Sequence, residues 1–302
     1  YFYHNYTLFY KKHLVSLIKR EKIKSINIDN SLPERYKKIF FSACKETNIK
    51  FNCYRIGVEM RQDIKIKAEE YSLFDHTIIQ DQNFMIDTNK INDNKFIRIS
   101  SPRYSLNWIK EVENSYKYKL REYDSNITKR KLRVLLVTRN EVSNKSWQII
   151  HYKLKKIENL ELRIKIKPRG QFSPLHIQEN IINEYNTSEL VNWADVIVSH
   201  STSILIEAII KNKKILFLNY LYALEKKKEF KYIFEDQNIV EYVDSIENLL
   251  KRIQYFKYNK INIDNNEKYQ QSKKFFLQKY LGNDYFNKTI TLKKEFINIY
   301  LT

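Results

Sequence analysis

A chain of 302 residues with net charge +19 can bury one large core or two. Its 3 glycines, at 57, 170 and 282, exclude a Walker A loop and a GxGxxG fingerprint, and with them the common ATPase and dinucleotide-dehydrogenase sites. Neither the 2 cysteines, Cys44 and Cys53, nor the 6 histidines give a disulfide framework or zinc-ligand spacing.

The predicted elements begin with a helix over residues 6–22 and a strand at Ser25–Ile28. Asp29-Asn30-Ser31 then opens a helix to Lys45, with Pro33 in its first turn. Strands follow at 51–56, ending at Gly57 and Glu59, at His76–Ile79, and at Phe96–Ile99 before Ser100-Ser101-Pro102-Arg103. Residues 104–123 read as a mixed-charge helix, and 124–130 as an interdomain connection.

A second series starts with the strand Leu132–Val137, which runs into Thr138-Arg139-Asn140. A helix over 146–157 and a strand over 160–166 lead to Lys167-Pro168-Arg169-Gly170, and 179–184 is helical. Val196-Ile197-Val198 is an apolar run of the kind a parallel sheet buries on both faces. It stops at Ser199-His200-Ser201-Thr202-Ser203, opens the helix Ile204–Ile210 with Glu207 one turn in, and is followed by the strand Ile215–Leu218. Ile239-Val240 reads as a strand, 245–256 as a helix, and the chain from Asp264 as helical around a loop at Tyr280–Asp284.

Three strand ends of the second series carry polar or cationic groups, and in a parallel sheet all three lie on one edge. Hydroxyls at a strand's C-terminal end, opening a helix, sit where open α/β sheets bind ligands, and free N–H groups there favour an anion. The expected donor-binding set is Thr138, Arg139, Asn140, Lys167, Pro168, Arg169, Gly170, Ser199, Ser201, Thr202, Ser203 and Glu207. Arg169 offers a fork for phosphate oxygens, and Gly170 permits close backbone approach.

Lys-Pro at a strand end, then Ala194-Asp195, an apolar run, the Ser/Thr loop and Glu207-Ala208 before another strand resembles the C-terminal domain of GT-B glycosyltransferases. The likeness spans about residues 95–260. Enzymes of capsular polysaccharide and lipopolysaccharide assembly are the nearest group, and the Ser-rich and Lys-Pro loops are shared most visibly by the CMP-sugar (Kdo and sialic acid) transferases. Pro168-Arg169 stands where the sialyltransferase pattern has His-Pro, and the first half has no pair of acidic residues before glycine.

The resemblance implies an α/β chain of two Rossmann-like domains facing across a cleft. These are an acceptor-side domain over 1–123, a linker over 124–130, a nucleotide-sugar domain over 131–260, and a helical tail over 261–302 that packs back on the first domain. An inverting transfer needs a base for the acceptor hydroxyl and cations or amides for the leaving phosphate. Asp29, Glu59 and His200 are the candidates for the base. No Asp-x-Asp occurs, so the transfer is expected to proceed without a metal or other cofactor.

The expected partners are a nucleotide-sugar donor, a glycan or lipid-linked glycan acceptor, and an anionic membrane surface. For the last, the basic tail is the candidate, with Phe275-Phe276 and Tyr280 interleaved, although packing is the expected use of those aromatics. With no run of about 18 apolar residues and no signal-peptide pattern, the expected location is the cytoplasm, peripheral at the inner membrane face. The chain opens on Tyr1 rather than Met, which leaves room for an element upstream. Nucleic acid is not an expected partner, since the excess of Lys alongside Asn, Ile, Tyr and Phe matches an AT-rich coding sequence. Alternatives are a polyol-phosphate transferase of the teichoic-acid type, a basic nucleic-acid-binding protein, and a donor-binding subunit without activity.

Overall fold

A computed structural model describes residues 2–55, 65–80, 85–87, 95–99, 101–116, 131–138, 143–166, 186–200, 202–221, 233–259, 261 and 263–282. The chain divides into two compact units. One holds Tyr1–Glu59, Asp63–Asn107 and Leu277–Thr302, and the other Met60–Gln62 and Trp108–Phe276. The sequence reading put the division at 124–130, which lies outside the described residues.

In the first unit, helix α1 (Phe2–Arg20) leads to β1 (Ser25–Ile28), α2 (Glu34–Thr47) and β2 (Lys50–Tyr54). Pro33 caps α2 from its extended conformation, Glu34 occupies the first turn, and Asn48 closes the helix at φ 54°. Strands β3 (Lys65–Lys67) and β5 (Met85–Asp87) pair with each other in parallel; nothing in the sequence reading singled them out. β4 (His76–Ile79) and β6 (Phe96–Arg98) complete a parallel sheet of order β1-β2-β4-β6. Its core stacks Phe51 against Phe74 at 4.9 Å, beside Cys44, Cys53 and Tyr71.

Asn52, fully buried on β2, donates to Asn27 Oδ1 on β1 at 3.1 Å, and its Oδ1 lies 3.3 Å from His76 Nδ1 on β4. A hydrogen-bonded polar chain therefore crosses three adjacent strands. Every partner is matched, which is what makes burial of such groups tolerable.

The second unit takes in all but the first two residues of α3 (Leu106–Asn114), then β7 (Leu132–Val137), α4 (Asn144–Lys155), β8 (Leu160–Lys165), α5 (Thr187–Trp193), β9 (Val196–Ser199), α6 (Ile204–Ile210), β10 (Lys214–Leu218) and β11 (Glu241–Val243). Helix Ile246–Tyr258 follows, and then Glu267–Leu281, of which Glu267–Phe276 belong to this unit. Ser143 caps α4 by accepting from Ser146 N–H at 3.2 Å. Asn186 and Glu189 form a reciprocal capping box on α5. The apolar runs of β7, β9 and β10 lie inside, packed on Trp147, Leu154 and Ile253, as expected of strands covered on both faces.

The sheet order is β8-β7-β9-β10-β11, all parallel. Counted from the start of this unit the order is 2-1-3-4-5, so chain direction across the sheet reverses between β7 and β9.

Two expectations are corrected. Ile239 and Val240 are buried but precede the strand, which is Glu241–Val243. Tyr280 and Leu281 belong to the last helix, which ends at Gly282 with φ 99°. The tail aromatics are divided: Phe276 is buried against Phe234 at 5.7 Å and Tyr280 is buried, whereas Phe275 is 65% exposed. Phe276 and Tyr280 are therefore packing residues, because a helix sends adjacent side chains to different faces.

Candidate functional site

The strand ends of the second unit are brought level by register. Val137 pairs with Lys165 on one side and with Ser199 on the other, and Ser199 pairs with Phe217. Thr138, the Ser199–Ser203 loop and the end of β8 therefore open onto one edge. Thr138 and the loop flank the point where strand order reverses. Loops at such a reversal diverge to opposite faces and leave a crevice, the usual ligand position of open α/β sheets.

Thr138 is buried, and its N–H donates to Lys165 O at 3.1 Å. Ser199 is fully buried; its Oγ lies 2.9 Å from Val137 O and 3.0 Å from His200 O. That hydroxyl is a strut between β9 and β7, fixing the loop's departure rather than facing a ligand. His200 is 2% exposed with its ring against Phe217 at 5.4 Å, a packed position unlike that of a solvent-reaching base.

Thr202 and Ser203 are half-buried at the start of α6. Their carbonyls accept from Leu205 and Ile206 N–H at 3.1 and 3.2 Å, while Ser203 makes no side-chain capping bond. Arg139, Asn140, Lys167, Pro168, Arg169, Gly170 and Ser201 lie outside the described residues.

Glu207 is placed differently from the sequence expectation. Its carboxylate accepts from Ser188 Oγ on α5 and pairs with Lys211 Nζ at 3.2 Å. Lys211 also reaches Tyr116 Oη at 2.8 Å and Glu113 at 3.1 Å, and Tyr116 Oη is 2.7 Å from Ser188 Oγ. Burial works against the Lys211 ammonium, but Glu207 foremost, then Tyr116 and Glu113, outweigh it and raise its pKa. This network clamps α6 to α5 and to the end of α3, so Glu207 holds the loop's helix in place.

Sequence reasoning missed the network, because Tyr116, Ser188 and Lys211 have no shared spacing. It also missed Lys165, the half-buried last residue of β8, whose ammonium burial holds below the ordinary lysine range.

In the first unit Asp29 spends both oxygens on its own turn, accepting from Ser31 N–H and Ser31 Oγ at 3.1 Å each. Glu59 lies outside the described residues. Among the described residues no three His, Cys, Asp or Glu side chains gather as metal ligands would, and no helix is long and apolar enough to cross a membrane.

No family model and no curated sequence matches the chain. Solved structures do. The wall teichoic acid polymerase TagF, soaked with CDPG, superposes with a TM-score of 0.54 at 16% identity, covering 92% of this chain and 73% of that one. A glycosyltransferase from Rickettsia africae ESF-5 gives 0.51 at 15% identity over 96% of this chain and 81% of its own. The chain has the GT-B fold. The fold is shared by an isomerase as well: Methanocaldococcus jannaschii UDP-GlcNAc 2-epimerase, in complex with UDP-GlcNAc and UDP, gives 0.50 at 15% identity over 90% of this chain and 80% of that one. Fold alone therefore does not choose between transfer and epimerisation.

Proposed function

We propose that this chain is a glycosyltransferase. It takes a sugar from a nucleotide-activated donor, CMP-linked by its resemblance to the Kdo and sialic acid transferases, and passes it to a glycan or lipid-linked glycan of a bacterial surface polymer. The observation that carries this reading is the reversal of strand order between β7 and β9, flanked by Thr138 and by Thr202 and Ser203 at the start of α6. The donor's nucleotide and phosphate occupy that crevice, with Lys167–Gly170 as the opposing loop and Arg139 and Arg169 as phosphate cations.

In this reading Ser199, His200 and Glu207 position the loop, and Ser201, Thr202, Ser203 and the backbone amides meet the phosphate. Cations and amides at the leaving group would do the work a metal would do, so transfer is expected to proceed without one. Of the three residues expected to supply the base, Asp29 is committed to its turn and His200 to the core. Glu59 is left for that role, and Glu59→Gln is expected to lose turnover while retaining donor affinity. The enzyme works in the cytoplasm at the inner membrane face, where lipid-linked acceptors are presented.

The likeness to TagF favours a second reading, transfer of a polyol phosphate from a CDP-linked donor. A panel of CMP, CDP, UDP, GDP and their sugar and polyol conjugates, scored by thermal shift, separates the two. A bound donor at a hundred times its dissociation constant stabilises by about 2.7 kcal/mol. Acceptor-dependent product formed in excess EDTA supports metal-free transfer. Donor isomerised without acceptor, or no nucleotide bound at all, contradicts the transferase reading.

A further inference from the structure

The first unit carries a surface that neither the fold nor the donor site explains. Helix α1 exposes Leu8 (45%), Phe9 (56%), Tyr10 (45%) and Leu17 (39%), although Val15 and Ile18 of the same helix are buried. The aromatic groups are organised: Phe9 lies 4.2 Å from the His13 ring and meets Tyr10 edge-on at 5.9 Å. Between α1 and α2 runs a groove of about 690 Å³ lined by Tyr10, His13, Leu17, Arg20, Tyr36 and Phe40. Contiguous exposed apolar surface of this kind marks an interaction site.

Charge says what kind. From Phe2 to Arg20 there is no carboxylate. Lys11 is tied to Glu46 at 2.7 Å, and the Lys19 charge also acts on Glu46; Lys12, Lys19 and Arg20 are exposed, and Arg20 pairs with its exposed neighbour Glu21 at 2.7 Å. The core of a protein–protein interface is depleted of charge, whereas cations interleaved with Phe, Tyr and Leu along one helix are what an anionic lipid surface binds.

We propose that α1, with its groove against α2, is the surface through which this protein lies on an anionic bilayer. Phe9, Tyr10 and Leu17 enter the headgroup boundary, while Lys12, Lys19 and Arg20 meet lipid phosphates. This assigns a surface to the membrane part of the reading above and rests on that reading only for its purpose. It also moves the contact from the tail, where Phe276 and Tyr280 are packed inside, to the helix α1.

The test is flotation of the full chain with vesicles of phosphatidylcholine alone and of phosphatidylcholine with phosphatidylglycerol, at two salt concentrations, without donor or acceptor. The transfer reading therefore stands or falls separately. Binding is expected to the anionic vesicles only, weakening with salt. It should drop by roughly tenfold or more in Lys12→Glu/Arg20→Glu and in Phe9→Ser/Leu17→Ser. Phe275→Ser on the tail and Tyr258→Ser in the second unit should bind as wild type, and melting temperatures serve as the folding check. Absence of binding at low salt overturns the proposal, as does binding that survives both α1 variants or is lost in the Phe275 or Tyr258 variant. Self-association without lipid that Leu17→Ser abolishes would also overturn it, marking the groove as an interface between copies.

Discussion

The two larger parallel sheets among the described residues look alike in sequence and differ in order. The first unit's four-stranded sheet runs β1-β2-β4-β6 without reversal, and the second unit's runs β8-β7-β9-β10-β11, reversing between β7 and β9. Each sheet also has its own polar cluster. Asn27, Asn52 and His76 form a hydrogen-bonded chain within the first sheet. In the second unit an ionic network of Glu113, Tyr116, Ser188, Glu207 and Lys211 fixes the helix that follows the reversal. A polar residue in a sheet is thus not by itself a site; what distinguishes a candidate site is a break in strand order with a clamped loop beside it.

The comparison breaks most easily at Lys211. Removing one partner of a buried pair leaves the other charge uncompensated, so Lys211→Met should cost about 3–5 kcal/mol of unfolding free energy in urea. Release of α6 should weaken nucleotide binding as well. A loss below about 1 kcal/mol would mean that solvent already screens the pair. Asn52→Ala should cost less, about 1–3 kcal/mol, for the partners left unsatisfied on β1 and β4. Its nucleotide affinity should match wild type, and a fall in a folded variant would place the ligand on the first sheet.

Ser203→Asp separates capping from phosphate binding by sign. A carboxylate at a helix start stabilises by about 0.3–1 kcal/mol, yet it repels a bound phosphate and should weaken nucleotide binding roughly tenfold. If calorimetry shows both stability and affinity unchanged, the loop is not the phosphate seat. The smallest effect concerns the first unit's cysteines. Burial pushes the Cys44 and Cys53 thiols up to about 12, with Asp75 and Asp29 adding to the shift respectively. At pH 8 iodoacetamide should leave both unmodified in the native protein while labelling the unfolded chain. Rapid native labelling would show that the packing of α2 on β2 opens.

Much of the fold was legible because local pattern carries it. β1, β4 and β7 fall where their apolar runs and flanking polar residues put them. The Ile239-Val240 assignment failed because buried apolar residues in a turn look the same as a strand in sequence. The site was legible as a set of strand ends but not as a crevice, since strand order is a property of long-range pairing that one sequence does not display. Glu207 was misplaced for the same reason. Its partners Ser188, Lys211 and Tyr116 meet it only after α3, α5 and α6 have packed.

The most direct test of the donor site is hydrogen exchange of the whole chain, read by mass spectrometry with and without the nucleotide that the thermal panel selects. Slowed exchange is predicted in peptides covering Val137–Asn140 and Ser199–Leu205 of the second unit, with the β1, β2 and β4 peptides of the first unit unchanged. Protection confined to the first unit, or a bound nucleotide that leaves the Ser199–Leu205 peptide untouched, would contradict the account.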